Sequence, residues 1–217
     1  MSTRTTLIVC TVLWLVAVVA TAAAYPSLPE PMATHWGLND QVNGSMPRFW
    51  GAFLIPLMVI PLTGLFFLVP LIDPMKANIA TFRPIFNVFI ALFMVFMFFT
   101  HALVILWNLG YAEFRMTTVL LPALGLLFIF LGVMMRRVKR NYFIGIRTPW
   151  TLSSDRVWDE THRVGSLMFV ACGVIAVFGA FLPGFWAFVA IFLPLMLATS
   201  FLLAYSYSLY QKETRGK

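Results

Sequence analysis

Six long apolar segments dominate this chain, and they decide what it can fold into. Hydropathy places them at about 6–24, 49–72, 84–107, 116–135, 165–183 and 185–208. A hydrocarbon core roughly 30 Å thick takes about 20 apolar residues per helix. Strands are excluded for these segments. They are too long and too unalternating for a barrel, and an isolated strand would leave its amides and carbonyls unpaired in lipid. The expected fold is therefore all-α: a polytopic integral membrane protein with six transmembrane helices. With 217 residues, that leaves short loops and no room for a separate soluble domain of ordinary size. The 11% share of charged residues agrees, being less than half of the roughly one quarter found in soluble domains.

A net charge of +7 could point to nucleic acid in a soluble protein, but here the charges flank the spans. With the N-terminus inside, thirteen of the fifteen Lys and Arg face the cytoplasm, leaving only Arg48 and Arg115 outside. The positive-inside rule thus predicts both termini and the 136–164 loop inside, and the 25–48 loop outside. Direct nucleic-acid binding is not expected. Arg4, a long apolar run and Ala22-Ala23-Ala24 before Tyr25 have the look of a signal peptide. The run is longer than a usual signal core, so a retained first span is the expectation. Cys10 and Cys172 lie in apolar segments and read as small buried hydrophobes, with no CxxC or Cys/His cluster to suggest a disulfide framework or zinc. No cofactor is implied. Pro56, Pro61, Pro122 and Pro194 fall within spans and should kink them.

The outer loop reads YPSLPEPMATHWGLNDQVNGSMPRFWG, from Tyr25 to Gly51. Its prolines hold the chain extended, and Asn43-Gly44 reads as a tight turn, so a short ordered loop is expected. Trp36 and Trp50 suit the membrane interface. His35 and Asp40 are too few for a metal site and are expected to organise the loop by hydrogen bonds. The candidate residues here are Pro29, His35, Trp36, Asp40, Asn43 and Gly44.

In the third span, Asn87, His101 and Asn108 are separated by 14 and 7 residues, which brings them to one helix face. Polar residues at membrane depth are functional candidates, and bonding to neighbouring helices is their simplest role. None of the eight Asp and Glu lies in mid-span, which argues against ion-coupled transport.

The inner loop begins with a basic collar, Arg136-Arg137-Val138-Lys139-Arg140, and continues NYFIGIRTPWTLSSDRVWDETHR to Arg163. Thr151, Ser153 and Ser154 suit a helix N-cap. From Asp155 a helix fits, with Arg156–Glu160 and Asp159–Arg163 as i,i+4 pairs and Trp158 and His162 on one face. It is expected to lie amphipathically at the inner leaflet and run on into the fifth span. Arg147, isolated beside Gly145, is expected to bridge the loop through a fork to Asp155, Asp159, Glu160 or helix-end carbonyls, or to stack on a tryptophan; the alternative is a charge that meets only anionic headgroups, like its neighbours in the basic collar. The candidates are Asn141, Gly145, Arg147, Thr148, Pro149, Trp150, Thr151, Asp155, Trp158, Asp159, His162 and Arg163. No nucleophile elbow, HExxH or phosphate loop is present.

The stretch 141–165 resembles the signature of the SdpI family, and LPEPMATHWGLNDQVNG, 28–44, resembles the small domain DUF1648 that precedes it there. The resemblance divides the chain into a DUF1648-like region, 1–72, and an SdpI-like region, 73–217. It implies a multi-pass protein of the cell membrane that gives immunity against a secreted toxin peptide. It also implies signalling by holding an ArsR-type repressor at the membrane. The rival readings are a small-solute or lipid transporter using the Asn87–His101 face, and a membrane-embedded enzyme using His162 and nearby carboxylates.

Overall fold

The computed structural model describes residues 1–111 and 113–215. Lys217, counted above among the inner charges, lies outside the described residues. Six helices are long and apolar enough to cross a membrane: α1 (Thr3–Ala24), α2 (Arg48–Ile72), α3 (Lys76–Asn108), α4 (Met116–Met135), α6 (Asp155–Gly179) and α7 (Gly184–Arg215). A short α5 (Pro149–Ser153), a single 3-10 turn (Tyr25–Ser27) and two strands, β1 (Met32–Trp36) and β2 (Val42–Met46), are the other elements among the described residues. The chain is an all-α polytopic membrane protein with one small β-hairpin. α3 starts before the apolar segment that marks it, and α6 starts ten residues ahead of its own, at Asp155 rather than 165. Hydropathy marks where a helix meets lipid, not where its backbone hydrogen bonding begins.

The helices form two groups of three, α1–α3 and α4/α6/α7, which meet chiefly through α3 and α4. Different chemistry holds each group. In the first, side chains bond across helices. The Trp14 indole donates to the Pro56 carbonyl at 3.0 Å. The Thr21 hydroxyl donates to Ala17, leaving its lone pairs to Nε2–H of His101 at 2.7 Å. In the second, backbones touch. A Cβ on Gly125 would come within 2.7 Å of the Gly173 carbonyl, and one on Gly132 within 2.7 Å of the Ser166 carbonyl. Lipid supplies no hydrophobic drive between helices, so such close approach of small residues replaces it.

Both chain ends lie on the same face. The Met1 amino group donates to the Pro84 carbonyl at 3.2 Å, and Ser154 donates to Glu213 at 2.7 Å. This face carries the basic collar and is the cytoplasmic one by the positive-inside rule.

The hairpin corrects one expectation. Asn43-Gly44 is not the turn; it lies within β2, with Gly44 opposite His35. The turn is made by 37–41, where the Gly37 amide donates to the Gln41 carbonyl at 2.8 Å and Asp40 takes a φ of 58°. Asp tolerates this left-handed region better than most residues.

Candidate functional site

On the outer face, the hairpin rests on four helices. Met32 is fully buried against α2, where a Cβ on Gly51 would sit 2.7 Å from the Met32 Cβ. Ala33 exchanges two bonds with the Asn108 amide of α3, at 2.8 and 2.9 Å. Trp36 packs edge-on against Trp107, with centroids 5.5 Å apart. The turn reaches α4 through Asp40 and α7 through Asn39, whose Oδ1 would lie 2.8 Å from a Cβ on Gly184. Asp40 accepts from the Thr117 amide at 2.8 Å, the Thr117 hydroxyl at 2.6 Å and Arg115 Nε at 2.9 Å. α4 has no side-chain cap of its own, so the hairpin supplies one from a distance. Partial burial pushes the Asp40 carboxyl up, but the Thr117 hydroxyl and amide and the Arg115 guanidinium together hold it below its ordinary range. Glu30 does the same for α2, accepting the Arg48 amide at 3.0 and 3.1 Å. Pro29, His35 and Asn43 stay exposed, and His35 Nδ1 donates to the Asn43 side-chain carbonyl.

The inner loop is built around buried neutral groups. Asn141, fully buried, donates to the Lys139 and Ile144 carbonyls at 2.8 and 2.9 Å and accepts from the Phe143 and Ile144 amides at 2.9 and 2.6 Å. Trp158 is fully buried and its indole donates to the Val138 carbonyl at 2.8 Å. His162 stacks on it, centroids 4.1 Å apart. Its Nδ1 faces the Trp158 carbonyl at 2.9 Å and must donate, so Nε2 is the acceptor for the Ile146 amide at 3.0 Å. Both ring nitrogens are thus engaged by backbone. Gly145, at φ 110°, lets the chain pass against His162, and any Cβ there would collide with Nε2. Thr148 and Thr151 form a capping box that starts α5, with Pro149 in its first turn. Thr148 also meets Ser206 of α7 at 3.2 Å, and Trp150 packs on Tyr207, centroids 5.0 Å apart.

Several expectations are corrected here. α6 starts at Asp155 and runs on into the span as expected, but its apolar face packs into the protein and not onto the leaflet: Val157, Trp158, Thr161 and His162 are buried. Its charges pair differently too. Asp159 meets Lys139 at 3.3 Å, Asp155 meets Arg140 Nε at 2.8 Å, and Arg163 takes Glu160 at i,i+3, not Asp159. Asp159 takes Lys139 in place of its i,i+4 neighbour Arg163 because the collar folds back over α6. The loop-bridging arginine is Arg140, which also donates to the Leu152 carbonyl at 2.9 Å. Arg147 makes one bond, to the Tyr142 carbonyl at 2.8 Å, and pairs with no carboxylate among the described residues.

Sequence reading missed Asp73. It is 1% exposed and accepts from the Met75 amide at 2.6 Å and the Tyr142 amide at 2.9 Å, tying the α2–α3 turn to the inner loop. The Asp73-Pro74 pair ahead of α3 was a readable helix-start signal. Near the inner end of α3, Asn87 donates to the Met1 carbonyl and Thr3 hydroxyl at 3.1 and 3.2 Å, while His101 meets Thr21 of α1 and Asn108 meets the hairpin; the Asn87 Oδ1 is buried without a hydrogen-bond partner among the described residues.

Fold and site together define a six-span membrane protein with an ordered clasp on each face and no cluster of metal-ligating side chains among the described residues. Residues 137–206 match the SdpI/YfhL protein family, and residues 12–60 match a domain of unknown function, DUF1648. The immunity protein SdpI of Bacillus subtilis (strain 168) is 26% identical over 188 residues, which cover 87% of each chain. No solved structure gives a significant match. The chain belongs to the SdpI family and is a multi-pass protein of the cell membrane.

Proposed function

We propose that this is a membrane immunity protein, not an enzyme, which protects the cell that carries it against a secreted toxin peptide. The similarity to an immunity protein along 87% of both chains carries the reading. The geometry supports it over its rivals. A transport path along Asn87, His101 and Asn108 would have to displace the bonds that the two amide NH2 groups and the imidazole make to the N-terminal segment and the hairpin, with only the Asn87 Oδ1 left buried without a partner among the described residues. An enzyme using His162 lacks a free ring nitrogen, and the hollow beside it, of about 290 Å³, is small for a substrate.

The peptide meets the exposed edge of the hairpin, at Pro29, His35 and Asn43. The inner loop, with Arg163 and Asp159 exposed at its surface, is where a cytoplasmic repressor docks once the peptide is bound. Deleting the gene and growing the deletion strain in spent medium from its parent tests the first part without knowing the toxin. Killing of the deletion strain, reversed by the intact gene, is expected; equal survival overturns it. A repressor that stays soluble when toxin and protein are both present would remove the signalling part alone.

A further inference from the structure

Between the two helix groups, toward the basic face, lies a cleft of about 790 Å³. Phe66, Phe89, Leu131, Phe169 and Leu203 line it from α2, α3, α4, α6 and α7, and residues 143–148 line its cytoplasmic end. Its two threonines do not make it polar. Thr148 is bonded to Thr151 and Ser206, and Thr199 donates to carbonyls of its own helix. One charged residue lines the cleft, Arg147 at its mouth, exposed and bonded only to the Tyr142 carbonyl. Its neighbours Lys139, Arg140 and Arg163 each have a carboxylate; Arg147 has none among the described residues.

An occupant therefore needs an apolar body at membrane depth and an anionic group at the inner surface. A second transmembrane helix does not fit. At about 10 Å across and about 30 Å long it would need roughly three times this volume. A phospholipid satisfies every condition, since a guanidinium fork matches phosphate geometry and basic pockets between helices on this face suit anionic headgroups. We propose that the cleft binds one anionic phospholipid of the inner leaflet, an acyl chain between the two helix groups and the phosphate on Arg147. This goes beyond the immunity reading and does not depend on it.

The test is native mass spectrometry of the purified full-length protein titrated with phosphatidylglycerol or phosphatidylcholine in mild detergent. A second groove of about 820 Å³ between α1 and α2 has Arg4 at its end, so bound lipids are counted rather than scored as present or absent. One phosphatidylglycerol should bind in clear preference to phosphatidylcholine. Arg147→Glu should weaken that site about tenfold, the loss of one charge-assisted contact. Leu203→Trp, which fills the cleft from a half-exposed position, should remove one lipid of either kind. Arg137→Glu in the same collar should change binding less than twofold. Undiminished binding in Arg147→Glu, an equal loss in Arg137→Glu, competition by inorganic phosphate alone, or a protein dimer in place of the lipid adduct would each overturn the proposal.

Discussion

The outer hairpin and the inner loop both clasp the two helix groups together, but with opposite chemistry. Outside, carboxylates do the work: Asp40 caps α4 and Glu30 caps α2, each beside an arginine that water can reach. Inside, the work falls to Asn141, Trp158 and His162, all buried and all bonded to backbone, with one carboxylate beside them, Asp73, which is itself buried and bonded to backbone amides. Charge pairs that face water contribute little and are screened by salt. Buried neutral networks are costly to leave half-made, so they hold or fail together. The outer clasp can be loosened by pH, by salt or by a competing ligand. The inner one yields only when its core is disrupted.

The sharpest way to break this contrast is Trp158→Ala. Removing a fully buried tryptophan and its bond to Val138 should cost about 3–5 kcal/mol, seen as a large fall in melting temperature in detergent. If Asp40→Ala costs as much, the two clasps do not differ in kind. Asn141→Ala comes next, at about 2–3 kcal/mol, because two amides and two carbonyls lose their partner. Asn141→Asp keeps the acceptor for the amides and should recover part of that loss.

Asp40→Asn should cost about 1 kcal/mol, the worth of a helix cap and its charge. The Asp40 carboxyl is held below its ordinary range, so its stabilisation is fully present above about pH 4 and is lost as pH falls through the depressed value. The gap between wild type and Asp40→Asn should close as the melting buffer is taken from pH 7 to below pH 3. A gap that widens on acidification would reverse the assignment. The smallest effect belongs to Arg147→Lys, which should leave the melting temperature within about 2 °C, whereas Arg140→Lys loses the guanidinium bond to the Leu152 carbonyl beside Asp155 and should exceed that.

What could be read in the sequence followed the reach of the forces involved. The spans were legible because burial in lipid acts on each segment by itself. Ser154 was legible as a cap because its partner, the Val157 amide, is three residues away. The strands of the hairpin were not, since β1 contains no strong alternation and the Asn43-Gly44 pair mimicked a turn that 37–41 makes instead. The candidates Asn141, Trp158 and His162 could be found by their polarity between greasy segments, but their partners could not. Thr21 and Thr117 looked like ordinary threonines, and only folding puts them 2.7 Å from His101 and 2.6 Å from Asp40. Arg147 misled for the same reason: local spacing offered it three carboxylates, and Lys139, Arg140 and Arg163 took them.

The placement of the hairpin also sets an order of assembly. Residues 32–46 leave the ribosome before any of α2, α3, α4 and α7, the four helices they rest on. The hairpin's partners become available in chain order, Gly51 first, then Asn108, then Thr117. The partner made last is Gly184, at the start of α7, so the complete set of hairpin contacts needs every one of the six spans to have been made.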